Sequence, residues 1–222
     1  MEELLEKIAA CVDTGKIDAK SPYPPTMKGQ DGADELTKQA LDAGVSPADI
    51  LEKGLMVGME IVGNKFRENK VFVPQVLMSA KAMGAGMEHL KPFFASGAAE
   101  RKGTFILGTV EGDLHDIGKN LVSMMVEGNG YEVIDLGTDV KAEDFIATAE
   151  KNPGSVIGLS ALLTTTMGNM EKIVKTIKEK DSNIKVCIGG APVNQEFCEK
   201  IGADSFNADP QGVVEYLNAL AS

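Results

Sequence analysis

A chain of 222 residues, 43% hydrophobic and 25% charged, is long enough to bury one large core or two modest ones without covalent staples. Its formal net charge of −11, from 33 acidic against 22 basic residues, opposes a nucleic-acid backbone and leaves proteins and small molecules as the expected partners. Three cysteines without metal-ligand spacing (Cys11, Cys187, Cys198) argue against a disulfide framework, and the lack of a secretory or membrane-spanning apolar run makes the cytoplasm the expected location.

The first part reads as helical. Leu4, Leu5, Ile8 and Ala9 share one face of a helix ending near Gly15, and residues 31–43 carry a second helical pattern closed by Gly44. Ser46-Pro47 has the form of an N-cap followed by proline at the first helical position, opening a third helix through Leu51, Leu55, Val62 and Phe66. A fourth starts at Val73-Pro74 and runs through Val76, Leu77, Ala80, Met83 and Met87 to His89, a residue that suits a helix C-terminus on the surface. Together these predict a four-helix bundle. Residues 20–32 are too rich in proline and glycine to be helical throughout. Residues 92–102 lose the helical period and are expected to link a helical domain, 1–91, to a second domain, 103–222.

From 103 the pattern alternates. Strands at 103–110, 131–136, 155–160, 184–188 and 204–207 interleave with helices at 118–129, 141–150, 167–180, 194–201 and 210–220. The expected fold is α/β, a doubly wound (Rossmann-like) parallel sheet of five strands in the flavodoxin-like order, with its site beyond the strands' carboxyl ends. One loop there carries the chemistry. The segment Gly112-Asp113-Leu114-His115-Asp116-Ile117-Gly118 places one of only two histidines between a strand and a helix. Asp113 can accept a hydrogen bond from one imidazole nitrogen and leave the other free for a metal. A phosphate loop fails on count: five residues separate Gly112 from Gly118 where four are needed, and Asn120 follows Lys119 in place of Ser or Thr. A metal-dependent hydrolase built on Asp113, His115 and Asp116 would need further ligands, and His89 lies on a distant helix.

The spacing Asp113-x-His115-x-x-Gly118, followed by Ser160-Ala161-Leu162 and by Gly189-Gly190, resembles the signature of cobalamin domains in which a protein histidine replaces the cofactor's own benzimidazole beneath cobalt. Gly58-Met59-x-x-Val62-Gly63-x-x-Phe66 and Val73-Pro74-Gln75-Val76-Leu77 are similar to the helical cap over the cofactor in methionine synthase. The resemblance spans nearly the whole chain, and it is to a free-standing corrinoid protein of a methyltransferase system. It implies His115 as the cobalt ligand, with Asp113 and Thr166 continuing a relay behind it. It implies cofactor contact by Gly112, Leu114 and Asp116 in the same loop, and room for the nucleotide tail at Gly118, Gly189 and Gly190. Ser160 and Thr164 would hold that tail, Leu162 would contact the cofactor, Ala208 would meet its edge, and Phe66, Val73, Val76 and Leu77 would shield its upper face.

The implied function is methyl transport on cobalamin in its base-off, histidine-on form. A substrate-specific methyltransferase would load the carrier, an acceptor methyltransferase serving a folate-type or thiol acceptor would unload it, and a reductive activation protein would restore oxidised cobalt. The carrier is not expected to be a catalyst alone. No residue discriminates among methanol, methylamines and methoxylated aromatics as donor; a methoxy compound is the expected one. A cobalamin-binding sensor would normally carry a basic DNA-recognition helix, which is lacking here, and a mutase subunit would normally lack the four-helix cap.

Overall fold

The computed structural model describes residues 2–95 and 101–221. It divides into two compact units, one formed by Met1–Arg101 and Gly128–Gly130, the other by Lys102–Glu127 and Tyr131–Ser222.

Among the described residues the first unit is built on four helices: α1 (Glu2–Thr14), α2 (Ala33–Asp42), α3 and α4 (Val73–Ala95). Helix α3 is continuous but composite, with Pro47–Asp49, a π-helical stretch Ile50–Leu55 and then Met56–Arg67. Ser46 caps it as expected, its Oγ accepting from the Asp49 N–H at 3.0 Å. A Cβ at Gly58 would lie 2.6 Å from both the Ala9 carbonyl oxygen and Val12 Cβ, so only glycine lets α3 settle against the α1 backbone.

Helix α4 departs from expectation by continuing past His89 and through Pro92 to Ala95. Residues 92–95 of the expected linker are therefore helical, while 96–100 lie outside the described residues. Proline removes one ladder bond, to the Glu88 carbonyl, and the fully buried Leu90 keeps this turn in register. His89 does not cap a helix end either. Its Nε2 lies 2.6 Å from Asp34 Oδ1, tying α4 to α2 from mid-helix. The proline-rich stretch is fastened at both ends: the fully buried Lys16 donates through Nζ to the Ser21 carbonyl at 3.0 Å, and the Glu35 carboxylate accepts from Ala19 N–H at 3.0 Å and Gly32 N–H at 2.9 Å.

The second unit alternates strand and helix: β1 (Thr104–Thr109), α5 (Ile117–Glu127), β2 (Glu132–Asp135), α6 (Ala142–Lys151), β3 (Val156–Ser160), α7 (Met167–Lys180), β4 (Lys185–Gly189), α8 (Gln195–Ile201), β5 (Ser205–Phe206) and α9 (Pro210–Ala221). The sheet is parallel with order β2-β1-β3-β4-β5, the doubly wound arrangement anticipated from the sequence. Its central strands are covered on both faces, which is why β1 and β3 read as nearly unbroken apolar runs. Pairing of Thr109 with Ser160, and of Ser160 with Gly189, levels the carboxyl ends of β1, β3 and β4. Three connecting loops consequently leave the sheet side by side.

No described helix is long and apolar enough to cross a membrane. All three thiols are buried, and burial pushes Cys11 up to about 11 and Cys187 up to about 12. An aromatic disulfide reagent at pH 8 is therefore expected to label none of them in the time that labels all three in urea. Prompt reaction of any thiol in the native chain would contradict that burial.

Candidate functional site

The chain leaves β1, turns at Gly112 with φ +84°, and passes through 113–116 before α5 begins. Asp113 is fully buried beneath this loop. Its Oδ1 accepts from the backbone N–H of His115 at 3.1 Å and faces the ring Nδ1 at 2.9 Å. Its Oδ2 accepts from the N–H groups of Leu162 at 2.8 Å and Leu163 at 3.2 Å, and from Thr166 Oγ1 at 2.8 Å. Burial would push this carboxyl up, but the Leu162, His115 and Thr166 donors outweigh it and hold Asp113 well below the usual carboxylate range. An ionised Asp113 only accepts, so the proton on His115 Nδ1 points at it, and Nε2 is the ring nitrogen left to meet a ligand.

The structure thus joins His115, Asp113 and Thr166 in one hydrogen-bonded chain across the loops after β1 and β3. The Thr166 hydroxyl also lies 2.9 Å from the Leu163 carbonyl, and its single proton favours the charged acceptor. The His115 side chain is 52% exposed. Around it stand four large apolar side chains that the fold leaves in the open: Leu114 and Ile117 at 74%, Leu162 at 43% and Leu163 at 41%. An apolar shelf of this kind, with one imidazole set in it, marks a binding surface.

The remaining expected residues fall differently. Asp116 opens α5, its carbonyl accepting from Asn120 N–H at 2.7 Å and its carboxylate from Asn120 Nδ2 at 3.1 Å. A Cβ on Gly118 would meet nothing within 4 Å, so the chain's own packing does not call for glycine there. Gly190 is the reverse case: with φ +125°, its Cβ would fall 1.8 Å from the Ala161 carbonyl oxygen, so the chain itself requires glycine there. At Gly189 the nearest atom to such a Cβ is the Asn207 oxygen, 3.2 Å away. Ser160 is half-buried at the end of β3, and Thr164 is exposed at the start of the short helical turn that follows. Ala208 is exposed after β5. In the helical unit Val76 is fully buried, while Phe66, Val73 and Leu77 are half-buried.

Several residues at the site escaped sequence reasoning. Leu163 contributes a backbone N–H, which no side-chain pattern encodes. Thr109 Oγ1 donates to the His115 carbonyl at 2.9 Å. Asp139 Oδ1 accepts from Gly112 N–H at 2.7 Å, and Asn169 Nδ2 donates to the Glu111 carbonyl at 2.8 Å. The last two act across 27 and 58 residues, beyond any local spacing. Only the place of Thr109 at a strand's carboxyl end could have marked it.

Among the described residues no group of three or more His, Cys, Asp or Glu side chains could hold a metal ion. A metal held at His115 would need ligands that these side chains do not supply, and a corrinoid would bring its own.

A family model described as B12 binding domain matches residues 103–211, and a second B12 binding domain model matches residues 30–91. The chain is 43% identical, over 191 residues, to a corrinoid protein of Desulfitobacterium hafniense (strain Y51), covering 84% of this chain and 88% of that one. It is 42% identical over 208 residues to dimethylamine corrinoid protein 1 of Methanosarcina acetivorans, covering 92% and 91%. Among solved structures, the methanol:cobalamin methyltransferase complex of Methanosarcina barkeri contains a similar chain with a TM-score of 0.82 and 33% identity, across 99% of this chain and 80% of that one.

Proposed function

From a chain that belongs to the B12-binding corrinoid proteins of methyltransferase systems, we propose a methyl carrier that binds cobalamin with its benzimidazole displaced and His115 on cobalt. The observation that carries this reading is the His115 ring, tied at Nδ1 to a buried, ionised Asp113 and offering Nε2 on the apolar shelf. When bound, the corrinoid supplies a cobalt that takes up a methyl group and gives it away. Asp113 makes the imidazole a stronger donor by accepting a hydrogen bond from its Nδ1–H. Uptake of a proton at Nε2 would cancel that lone pair and leave an imidazolium paired with Asp113, while Thr166 keeps the second carboxylate oxygen bonded.

The test is reconstitution of the apoprotein, grown on ¹⁵N-histidine, with cobalamin, followed by electron paramagnetic resonance of the cobalt(II) state. Superhyperfine splitting from ¹⁵N is expected in wild type and lost in His115→Ala. An unchanged signal in the variant would overturn the ligand assignment.

The open side of Gly118 supports a slot for the nucleotide tail. Methionine there favours the helix, so Gly118→Met should leave apoprotein stability unchanged or raise it by up to about 1 kcal/mol. Filling the slot should weaken cobalamin binding by more than about tenfold. Equilibrium dialysis showing wild-type affinity would remove Gly118 from the tail site.

In this reading a substrate methyltransferase loads the carrier, an acceptor methyltransferase serving a folate-type or thiol acceptor unloads it, and a reductive activation protein rescues oxidised cobalt. The relative named for dimethylamine and the complex named for methanol support a methylamine or methanol donor over a methoxylated aromatic. Offering the holoprotein each donor class, with a methyltransferase specific for that class, and following the corrinoid absorbance distinguishes them. Methylation by a methoxy compound alone would reject that donor preference.

A further inference from the structure

The loop that presents His115 is also gripped from outside the Asp113 network. Asp139 lies between β2 and α6 with φ +57°, a left-handed conformation that is uncommon for any residue other than glycine. In that conformation its Oδ1 accepts from Gly112 N–H at 2.7 Å, and its own N–H donates to the Asp113 carbonyl at 3.0 Å. These bonds bracket the Gly112–Asp113 step and fix the direction in which Asp113 leaves the backbone. Asp113 Oδ1 in turn holds both the backbone and ring nitrogens of His115, so a turn of that step would carry the imidazole with it.

The support is itself anchored. Val140, the next residue, bridges in parallel to Val110, its N–H donating to the Thr109 carbonyl at 3.0 Å, while Thr109 N–H donates to the Gly137 carbonyl at 2.9 Å. From the other flank, Asn169 on α7 holds the Glu111 carbonyl. Asp139 thus stands on backbone that extends the β1 ladder, and it reaches over to the residue preceding Asp113.

We infer that Asp139 is a positioning residue for His115: it sets the aim of that imidazole through the Gly112–Asp113 step without itself reaching a ligand. This rests on the proposed cobalamin reading. Asp139 is exposed, so its carboxylate serves no core packing. The carboxylate accepts from Gly112 N–H, a member of the loop that bears the ligand.

The experiment compares wild type, Asp139→Gly and Asp139→Asn. Glycine accepts φ +57° and deletes the side chain with its carboxylate, whereas asparagine tolerates that φ and restores an oxygen acceptor. In the apoprotein, exchange of the Gly112 amide should be about tenfold faster in Asp139→Gly and return towards wild type in Asp139→Asn. At saturating cobalamin, the cobalt(II) resonance should show the ratio of imidazole-bound to unbound centres falling about tenfold in Asp139→Gly, with rescue by asparagine. A purely structural role would lower the unfolding midpoint and leave that ratio alone. A wild-type ratio in Asp139→Gly overturns the inference and leaves the cobalamin reading intact. A wild-type protein with no imidazole coordination overturns that reading and the inference with it.

Discussion

Asp113→Ala is expected to destabilise the sheet unit by about 3 kcal/mol or more, a large cost for a single polar substitution. The carboxylate receives the N–H groups of Leu162, Leu163 and His115, the Thr166 hydroxyl and the His115 ring. Alanine strands these donors, and each one that water cannot reach costs about 1 to 3 kcal/mol. Asp113→Asn should lose less, because it keeps one oxygen acceptor while turning an NH2 group toward donors. Urea unfolding of the apoprotein measures both; a loss under about 1 kcal/mol in Asp113→Ala would show the network to be dispensable. The folded carboxyl lies below its unfolded value, so ionised Asp113 contributes its full stabilisation above about pH 5. That contribution shrinks as pH falls below about 4, towards the folded value. The gap in stability between wild type and Asp113→Asn should follow the same course. A gap that widened in acid would give the shift the opposite sign.

Gly190→Ala should cost about 3 kcal/mol or more, or leave the chain insoluble. No rotamer relieves a Cβ placed 1.8 Å from the Ala161 oxygen, and φ +125° is itself strained for alanine. Relief would have to come from parting the ends of β3 and β4, where Ala161 N–H donates to the Gly189 carbonyl at 3.2 Å and Val193 N–H to the Gly190 carbonyl at 3.0 Å. Gly189→Ala, with its nearest contact at 3.2 Å, should cost less. Equal and small losses in the two variants would mean that this turn relaxes freely.

These glycines show where reading the sequence stops. Gly118 and Gly190 carry the same expectation, space for a nucleotide tail, yet one faces open space and the other is demanded by a neighbouring carbonyl. The distinction lies in contacts between strands far apart in the chain. The order of the sheet was legible because buried apolar runs alternate with amphipathic stretches at lengths that permit only crossover connections. His115 and Asp113 were legible because two residues of separation suffice for the contact they make. The π-helical stretch at Ile50–Leu55 was not, since one extra residue barely disturbs an apolar stripe already broad. The end of α4 was misplaced because Pro92 reads as a break, although a helix can forgo one bond. Asp139 and Asn169 act across tens of residues on backbone groups, and nothing in their own neighbourhoods announces it.

The His115 loop is tied into the fold by Asp113 on the ring, Thr109 on the carbonyl, Asp139 on the Gly112–Asp113 step, and the peptides after β3 on the far carboxylate oxygen. These bonds hold the loop in shape. A ligand docking there has little ordering entropy to offset. Titration calorimetry should accordingly give a heat-capacity change on the scale of the apolar surface covered, without the larger excess that accompanies coupled folding.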